Sequence, residues 1–498
     1  MSLRCFEAVR EDRALPPPRP PLLAFGGRVH VVVVGAGPLG LACAALCKRR
    51  GFGVTVLERQ GALGGDWRKW GNAWSRLQTH KSGYLIGEPS DVDWASLPSY
   101  PSRNEMLAYL ERFAQLNGVV DDIVFDATYT GRTRFSRGRM EIRYSQHGRE
   151  PRSVDATHLF VAPGRVNVRR GLDLPGERED FPGVVAWGNG GDLSSTNLRG
   201  KRVVILGHGS FALENMRHAL ESRARSVTLL ARDDQLVLSK PVSYMIDRNA
   251  DGLISIPSVL EPLKKAYALL GRDEAWLADL IRRSAKRRTT TPTSDLYFYA
   301  LATGAATLVK GEAARVGADG ADGADGVVVL ADGSRRIPAD VVIKCVGFHR
   351  DTDLDAAVIY PLDHPDDLRK PVEDVWTMRF VDEDHRVYLT SSTASESFIP
   401  KRGQSWHANV LTPTGPAEEF LATAAAIGDP RPFRREGEPS ADELAQARHA
   451  ERTRALGPDD AAFIAEMKRD WAAYEAQFGV PLPYPYAAVP TVAPWNSS

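Results

Sequence analysis

The sequence predicts a doubly wound α/β chain in which one βαβ domain is inserted into another, followed by a helical C-terminal extension. Three observations predict it. VVVVGAGPLGLA at 31–42 is an apolar run that enters a glycine turn and continues as a helix. VVILGHGSFALEN at 203–215 repeats that architecture. ADVVIKCVGF at 339–348 reads as a late buried strand returning to the first sheet, so the second unit sits inside the first.

Each element has its own reason. The chain has 498 residues, enough for two or three compact units. Residues 1–27 form a proline-rich tail with acids and no apolar signal core, which argues against secretion. A surface tail is the simple reading, and an SH3-type ligand is the alternative. RVHVVVV (28–34) does not alternate, as expected of a parallel strand buried on both faces. A helix runs from Pro38 to Arg50 and stops at Gly51, and GVTVLER (53–59) is the next strand. Ser102 and Glu105 form a capping box for a helix that Gly118 ends. Short strands are expected near 123–144 and 154–162. In the second unit, RVVIL, a helix to about Ser222 and SVTLLAR complete another βαβ.

Residues 257–287 read as helical, and ADGADGADG (318–326) as a solvated hairpin loop. Its aspartates lack the ligand pattern of calcium repeats. In the extension, a helix starts at Ser440 with Glu443. Another, near 459–478, carries Phe463, Met467, Trp471, Tyr474 and Phe478 on one face, as core or interface. The division is therefore a tail 1–27, a first-domain part 28–170, an inserted domain 171–334, a second part 335–430 and the extension 431–498.

Lysine plus arginine and aspartate plus glutamate number 63 each, so the net charge is zero, which argues against a nucleic-acid partner. No apolar run is long enough to span a bilayer. Cys5, Cys43, Cys47 and Cys345 contain no CxxC and no zinc spacing. They read as free thiols in a reducing, cytoplasmic compartment, and no metal site is expected.

The glycine turns carry the chemistry. Gly35, Gly37 and Gly40 have the G-x-G-x-x-G spacing. The first permits the tight turn, the second lets a pyrophosphate approach, and the third packs the helix on the strand. Pro38 opens the helix, and Glu58 with Arg59 ends the next strand, where a carboxylate accepts from a ribose 2′-hydroxyl. The second turn reads Gly207, Gly209 and Ala212, with Ser210 as a further phosphate donor. There Leu230 and Ala231 replace the acid and Arg232 follows, suited to a 2′-phosphate. Asp233 and Asp234 weigh against that, and Arg232 alone also reads as a solvated charge. FAD at the first turn and NADP(H) at the second make a redox pair.

GAGPLG, LERQGALGGDW (57–67), RLQTHKSGY (76–84), YPSRNEMLAYLERFA (100–114), TPTSD and DVVIKCVGF together resemble the flavin-containing monooxygenases, the class B flavoprotein group. The likeness covers about residues 28–425, and its early part is similar to the plant auxin-biosynthesis flavin monooxygenases. It implies two Rossmann-like domains, the NADPH domain inserted in the FAD domain. It implies NADPH- and O2-dependent oxygenation through a C4a-hydroperoxyflavin, with nitrogen or sulfur of a small molecule as the soft nucleophile. Baeyer–Villiger or carbon-oxygenating and decarboxylating chemistry, flavin or disulfide reduction without oxygenation (the missing CxxC counts against the disulfide version), and a scaffold without chemistry stay open.

By the same resemblance, Gly65 belongs to the flavin motif, and Trp67 stands near the isoalloxazine or is simple core. His80 donates at the flavin edge or caps a buried carbonyl. Residues 397–411, with Gln404 and His407, are expected near the flavin. Three positions depart from the pattern. FPGVVAW (181–187) puts Trp187 where the fingerprint has histidine, Ala162-Pro163-Gly164 replaces the usual hinge, and Gln78 stands where the Baeyer–Villiger branch has aspartate. The extension is expected to cover the active site or to make a homodimer contact, and the composition points to a role in specialised biosynthesis.

Overall fold

The computed structural model describes residues 29–81, 84, 86, 96–146, 149–164, 168–248, 253–287, 291–319, 325–349, 351–365, 379–381, 386–389, 405–407, 420 and 459–491. The first described element is β1 (His30–Val34), whose valines are buried on both faces. Next come α1 (Pro38–Arg49), β2 (Gly53–Leu57) and the short α2 (Asp66–Lys69). The expected capping box opens α3 (Arg103–Leu116), with Ser102 accepting from the Glu105 amide. β3 (Ile123–Val124) then joins the sheet. An antiparallel excursion follows, β4 (Ala127–Arg132), β5 (Met140–Gln146) and β6 (Arg152–Ala156), before β7 (His158–Val161) returns to the sheet beside β1.

β8 (Val168–Arg169) leaves the first unit. The second contains β9 (Val184–Ala186), β10 (Arg202–Leu206), α4 (Ser210–Glu221) and β11 (Ser226–Ala231). Then come α5 (Lys240–Arg248), β12 (Leu253–Ser255), α6 (Ile256–Ala268), α7 (Glu274–Arg287) and α8 (Asp295–Thr303). β13 (Thr307–Lys310) precedes the hairpin β14 (Ala313–Asp319) and β15 (Asp325–Leu330), which brackets the aspartate–glycine repeat as expected. After β16 (Arg336–Pro338) come β17 (Val341–Lys344), β18 (Phe348–His349) and α9 (Thr352–Ile359). The remaining described elements are β19 (Arg379–Phe380), β20 (Val387–Leu389), β21 (Ser405–His407) and α10 (Asp460–Phe478).

The two largest sheets among the described residues have the orders β19-β20-β7-β1-β2-β3 and β13-β11-β10-β17-β9. β1 and β10 each lie between a strand that precedes and one that follows the crossover, so each glycine turn falls at a switch point, where α/β sheets bind ligands. The two units end alike. Gly35 N donates to the Leu57 carbonyl and Gly207 N to that of Leu230. Ala162 N donates to the Val34 carbonyl and Cys345 N to that of Leu206. Ala162-Pro163-Gly164 therefore corresponds to Cys345-Val346-Gly347, with Gly164 and Gly347 at φ +80° and +92°. Each glycine leads into a crossover strand, and the two, β8 and β18, pair antiparallel between the units.

That arrangement corrects one expectation. ADVVIKCVGF does not return to the first sheet: β17 pairs in parallel with β10 and β9 inside the second. The return comes later, through β18, and β20 pairs with β7. A buried apolar strand has no face pattern that names its neighbours, so the run alone could not choose between the sheets. The second unit therefore extends past 334, through β17.

The helix near 459–478 is α10, and its aromatic stripe is core. Phe463, Met467 and Trp471 are buried in one cluster with the helices of the second unit, and Tyr474 and Phe478 pack at its edge. The expected helix from Ser440 and residue Gln404 lie outside the described residues. His407 lies on β21, which pairs with β12.

Candidate functional site

The first turn is built by exclusion. Gly35 has φ +99°, and a Cβ there would fall on the Ala162 carbonyl. A Cβ on Gly40 would lie inside the Gly35 carbonyl oxygen, so only glycine lets α1 pack this close. α1 starts with Gly37 as N-cap and no side-chain cap, which leaves its first amides to a phosphate. Opposite Gly37 stands Gly65, with φ +55°. Pro38 is in the helix's first turn.

Glu58 ends β2 as expected and is 4 % exposed. Its Oε2 accepts from the Ala36 amide at 2.7 Å and its Oε1 from the Gln60 amide at 2.8 Å. The carboxylate is thus held on the turn itself. Arg59 is exposed beside it. Trp67 donates through Nε1 to the Tyr84 hydroxyl at 2.8 Å, and its carbonyl accepts from Arg103 Nε at 3.0 Å. His80 is buried, and its ring lies 4.6 Å from Tyr244, 5.8 Å from Phe463 and 6.1 Å from Tyr100, centre to centre. It stands in an aromatic cluster that draws on both units and on α10.

The second turn repeats the first with different chemistry. Gly207 has φ +128°, and a Cβ there would meet the Cys345 carbonyl. A Cβ on Gly209 would meet nothing within 4 Å, so the face that a pyrophosphate needs is open. Gly209 also caps α4 without a side-chain bond, and Ser210 is its first residue. Counting from the matched Leu57 and Leu230, Ala231 occupies the place of Glu58, and Arg232 that of Arg59. Arg232 is 70 % exposed and 4.0 Å from Glu312. Lys310 is paired with Ala231 in register and holds the buried Asp234 at 2.6 Å. That pairing offsets one of the two aspartates that weighed against a phosphate. His208 is buried, and desolvation pulls its pKa down to about 4. Its Nδ1 accepts from the Gln235 amide, so Nε2 carries the proton and donates to the Tyr297 hydroxyl at 3.1 Å. It adds no charge to the turn.

Sequence reasoning missed the contact between the units. Residues 72–78 of the first unit lie along one face of α4. Gln78 Nε2 donates to the Ser210 carbonyl at 2.8 Å. Asn72 Nδ2 and Ser75 Oγ both donate to Glu214 Oε1, at 2.9 and 2.6 Å. Arg217 Nη2 donates to the Trp74 carbonyl at 2.6 Å, and the Trp74 ring stacks on His218 at 3.8 Å. The spacing 210, 214, 217, 218 marks a single helix face. A glutamate amid the apolar residues of α4 was the available signal.

Burial raises the Glu214 pKa above that of an ordinary carboxyl, against the pull of Ser75 and Asn72. A raised folded-state pKa means the folded chain binds the extra proton. Stability is then fullest below the unfolded glutamate pKa and falls as pH rises through the folded one, by about 1.4 kcal/mol per unit of displacement. Glu214→Gln is expected to remove that fall. Its urea midpoint should exceed wild type at pH 8 and approach it at acid pH, and equal gaps at both would contradict the assignment.

Trp187, at the fingerprint position, lies between Lys344 at 4.0 Å and Arg169 at 5.2 Å from its ring centre. Cys43, Cys47 and Cys345 are buried free thiols, and burial pushes Cys345 up, away from thiolate chemistry. Among the described residues no group of His, Cys, Asp or Glu is placed to hold a metal, and no helix is long and apolar enough to cross a membrane.

A family model described as an NAD(P)-binding Rossmann-like domain matches residues 33–87. Indole-3-pyruvate monooxygenase YUCCA1 of Oryza sativa subsp. japonica is 32 % identical over 191 residues, 37 % of this chain and 43 % of that protein. Flavin-containing monooxygenase FMO GS-OX-like 3 of Arabidopsis thaliana is 25 % identical over 238 residues, covering 41 % and 51 %. The chain thus spans about half the length, or less, of these relatives. Among solved structures, oxidized steroid monooxygenase bound to NADP superposes with a TM-score of 0.57 at 18 % identity, covering 84 % of this chain and 89 % of that one. An open crystal structure of cyclohexanone monooxygenase gives 0.57 at 16 %, covering 86 % and 97 %. The fold is that of the two-dinucleotide flavin monooxygenases. The resemblance to the class B flavin monooxygenase group, read above from short motifs, is found in these relatives as well.

Proposed function

We propose that the protein is an FAD- and NADPH-dependent monooxygenase that oxygenates nitrogen or sulfur of a small molecule. One observation carries the reading. Two turns of equivalent hydrogen bonding end in opposite charges, Glu58 at the first and Ala231-Arg232 at the second. A carboxylate suits a free ribose hydroxyl and repels a 2′-phosphate; an arginine does the reverse. FAD therefore belongs at the first turn, with Gly35, Gly37, Gly40, Gly65 and Glu58. NADP(H) belongs at the second, with Gly207, Gly209, Ser210 and Arg232. Reduced flavin supplies the dioxygen chemistry; the chain's part is to bind, align and keep water out. Trp67 and His80 are the side chains assigned to the flavin side. The relatives are monooxygenases by name, which supports the reaction class.

Baeyer–Villiger oxygenation is the second reading, favoured by the shared fold. Against it stands Gln78, an amide where that branch carries a carboxylate. A cytoplasmic location fits the buried, unpaired cysteines.

The deciding experiment reduces the purified yellow protein with NADPH and mixes it with oxygenated buffer in a stopped-flow spectrometer. A delayed return of the oxidised flavin spectrum supports a monooxygenase. Immediate return with stoichiometric hydrogen peroxide supports a reductase, and absence of bound flavin ends the proposal. Arg232→Ala tests the second turn. Loss of a charge-assisted bond of about 2 kcal/mol should raise the KM for NADPH roughly 30-fold and leave that for NADH nearly unchanged. Equal effects on both would make Arg232 a plain surface charge.

A further inference from the structure

The contact between residues 72–78 and α4 is made mostly of polar groups. α4 presents its N-terminus to the second nucleotide site, while the 72–78 segment leads directly into His80 on the flavin side. Glu214 Oε1 takes two donors from the facing segment, and Asn72 reaches on to the Gly188 carbonyl with its Nδ2 and accepts from the Gly191 amide with its Oδ1. Asn215, the next residue of α4, binds the same Gly188 carbonyl at 2.8 Å. One asparagine thus ties together α4, the strand-exit loop of the second unit and the flavin-side segment. Within that segment, the Asn72 amide donates to Ser75 Oγ at 2.7 Å, so the donor hydroxyl is itself oriented.

We propose that Glu214 is a positioning residue that couples occupancy of the NADP(H) site to the flavin-side segment 72–80, holding the two nucleotides in register for hydride transfer. The inference rests on the function proposed above. When both are bound, NADPH would supply the hydride, leaving as NADP⁺, and FAD would accept it. No side chain of the coupling network takes part in the chemistry. Its role is alignment, and misalignment by an ångström between reactants costs on the order of 100-fold in rate. Coupling of this kind needs a physical element that both sites bias. Here that element is α4, gripped at its N-terminus by pyrophosphate and along its flank by Asn72, Ser75 and Gln78.

The test compares wild type with Glu214→Ala, Glu214→Gln and Asn72→Ala, all with FAD bound. Amide hydrogen exchange is followed with and without NADP⁺. In wild type, NADP⁺ is expected to slow exchange both at 207–212 and across 72–80. In Glu214→Ala the first effect should persist and the second vanish. NADP⁺ should still bind with a Kd within about 3-fold of wild type, because the turn is intact, while the rate of flavin reduction by bound NADPH falls about 10- to 100-fold. Glu214→Gln keeps an acceptor oxygen at the same place and should restore both coupling and rate. Asn72→Ala should lose coupling as Glu214→Ala does, and the two changes together should be less than additive.

Persistence of protection at 72–80 in both alanine variants would overturn the inference. So would a reduction rate within about 2-fold of wild type, or loss of FAD and NADP⁺ binding in both, since these would make the network merely structural. Failure of wild type to bind FAD or to be reduced by NADPH would instead remove the proposed function, and it is read before any variant is made.

Discussion

Gly40→Val is expected to yield a protein without bound flavin. The new Cβ would fall inside the Gly35 carbonyl oxygen, which is backbone and cannot swing away, and would lie 3.4 Å from the Val33 side chain. Gly35 has little freedom to yield, because its φ is +99° and its amide is held by the Leu57 carbonyl at 2.8 Å. α1 must therefore tilt off β1, and its free amides leave the pyrophosphate position. The second unit has its own turn and its own sheet, so NADP⁺ binding should survive. The ratio of flavin to protein absorbance after gel filtration measures the first claim, and titration with NADP⁺ the second. Gly209→Ala is the informative contrast. Gly209 has ordinary extended backbone, φ −91° and ψ −170°, and open space around it. The methyl should leave folding untouched and weaken NADP⁺ by standing where the phosphates approach. Retention of flavin by Gly40→Val would show that the first turn is not the FAD site.

Why the turns were legible and their surroundings were not follows from how far each signal reaches along the chain. A glycine turn is a local device: Gly35 or Gly207 fixes the backbone, and strand and helix follow within a dozen residues. The capping box at Ser102 and Glu105 and the stripe from Phe463 to Phe478 were legible for the same reason, since each repeats within one helix. β17 was assigned to the wrong sheet because both candidate partners, β1 and β10, are valine-rich strands, and nothing in VVIK states which one it meets. The pairing of β8 with β18 joins residues 168–169 to 348–349, and no sequence pattern spans that distance. His80 was legible as a chemical group, but its neighbours were not, because Tyr244 and Phe463 arrive from the second unit and from α10. Glu214 was overlooked because a single glutamate on a helix reads as solvated until Asn72 and Ser75 are seen to bury it.

Trp471→Ala is expected to destabilise the protein by about 3–5 kcal/mol, the range for truncating a large buried aromatic. Trp471 is 3 % exposed. It meets Tyr299 and Tyr484 edge to face at 5.1 and 5.2 Å, and its Nε1 donates to the Leu482 carbonyl. Loss of the ring therefore opens a cavity, strands that carbonyl and frees the chain that follows the helix. The consequence extends past α10 itself. Phe463 stacks on Tyr244 at 4.0 Å, Glu466 accepts from Ser99 of the first unit at 2.6 Å, and Asp470 pairs with Lys240 of the second at 2.8 Å. One helix face thus bridges both units beside His80, with the half-buried Lys240 held between a carboxylate and the Tyr100 ring at 4.5 Å. A urea midpoint lowered by that amount, with faster acylation of His80 by a histidine reagent, is the expected outcome. A change under about 1 kcal/mol with His80 still protected would make α10 an appendage, and its face would then be free to serve as a contact between copies of the chain.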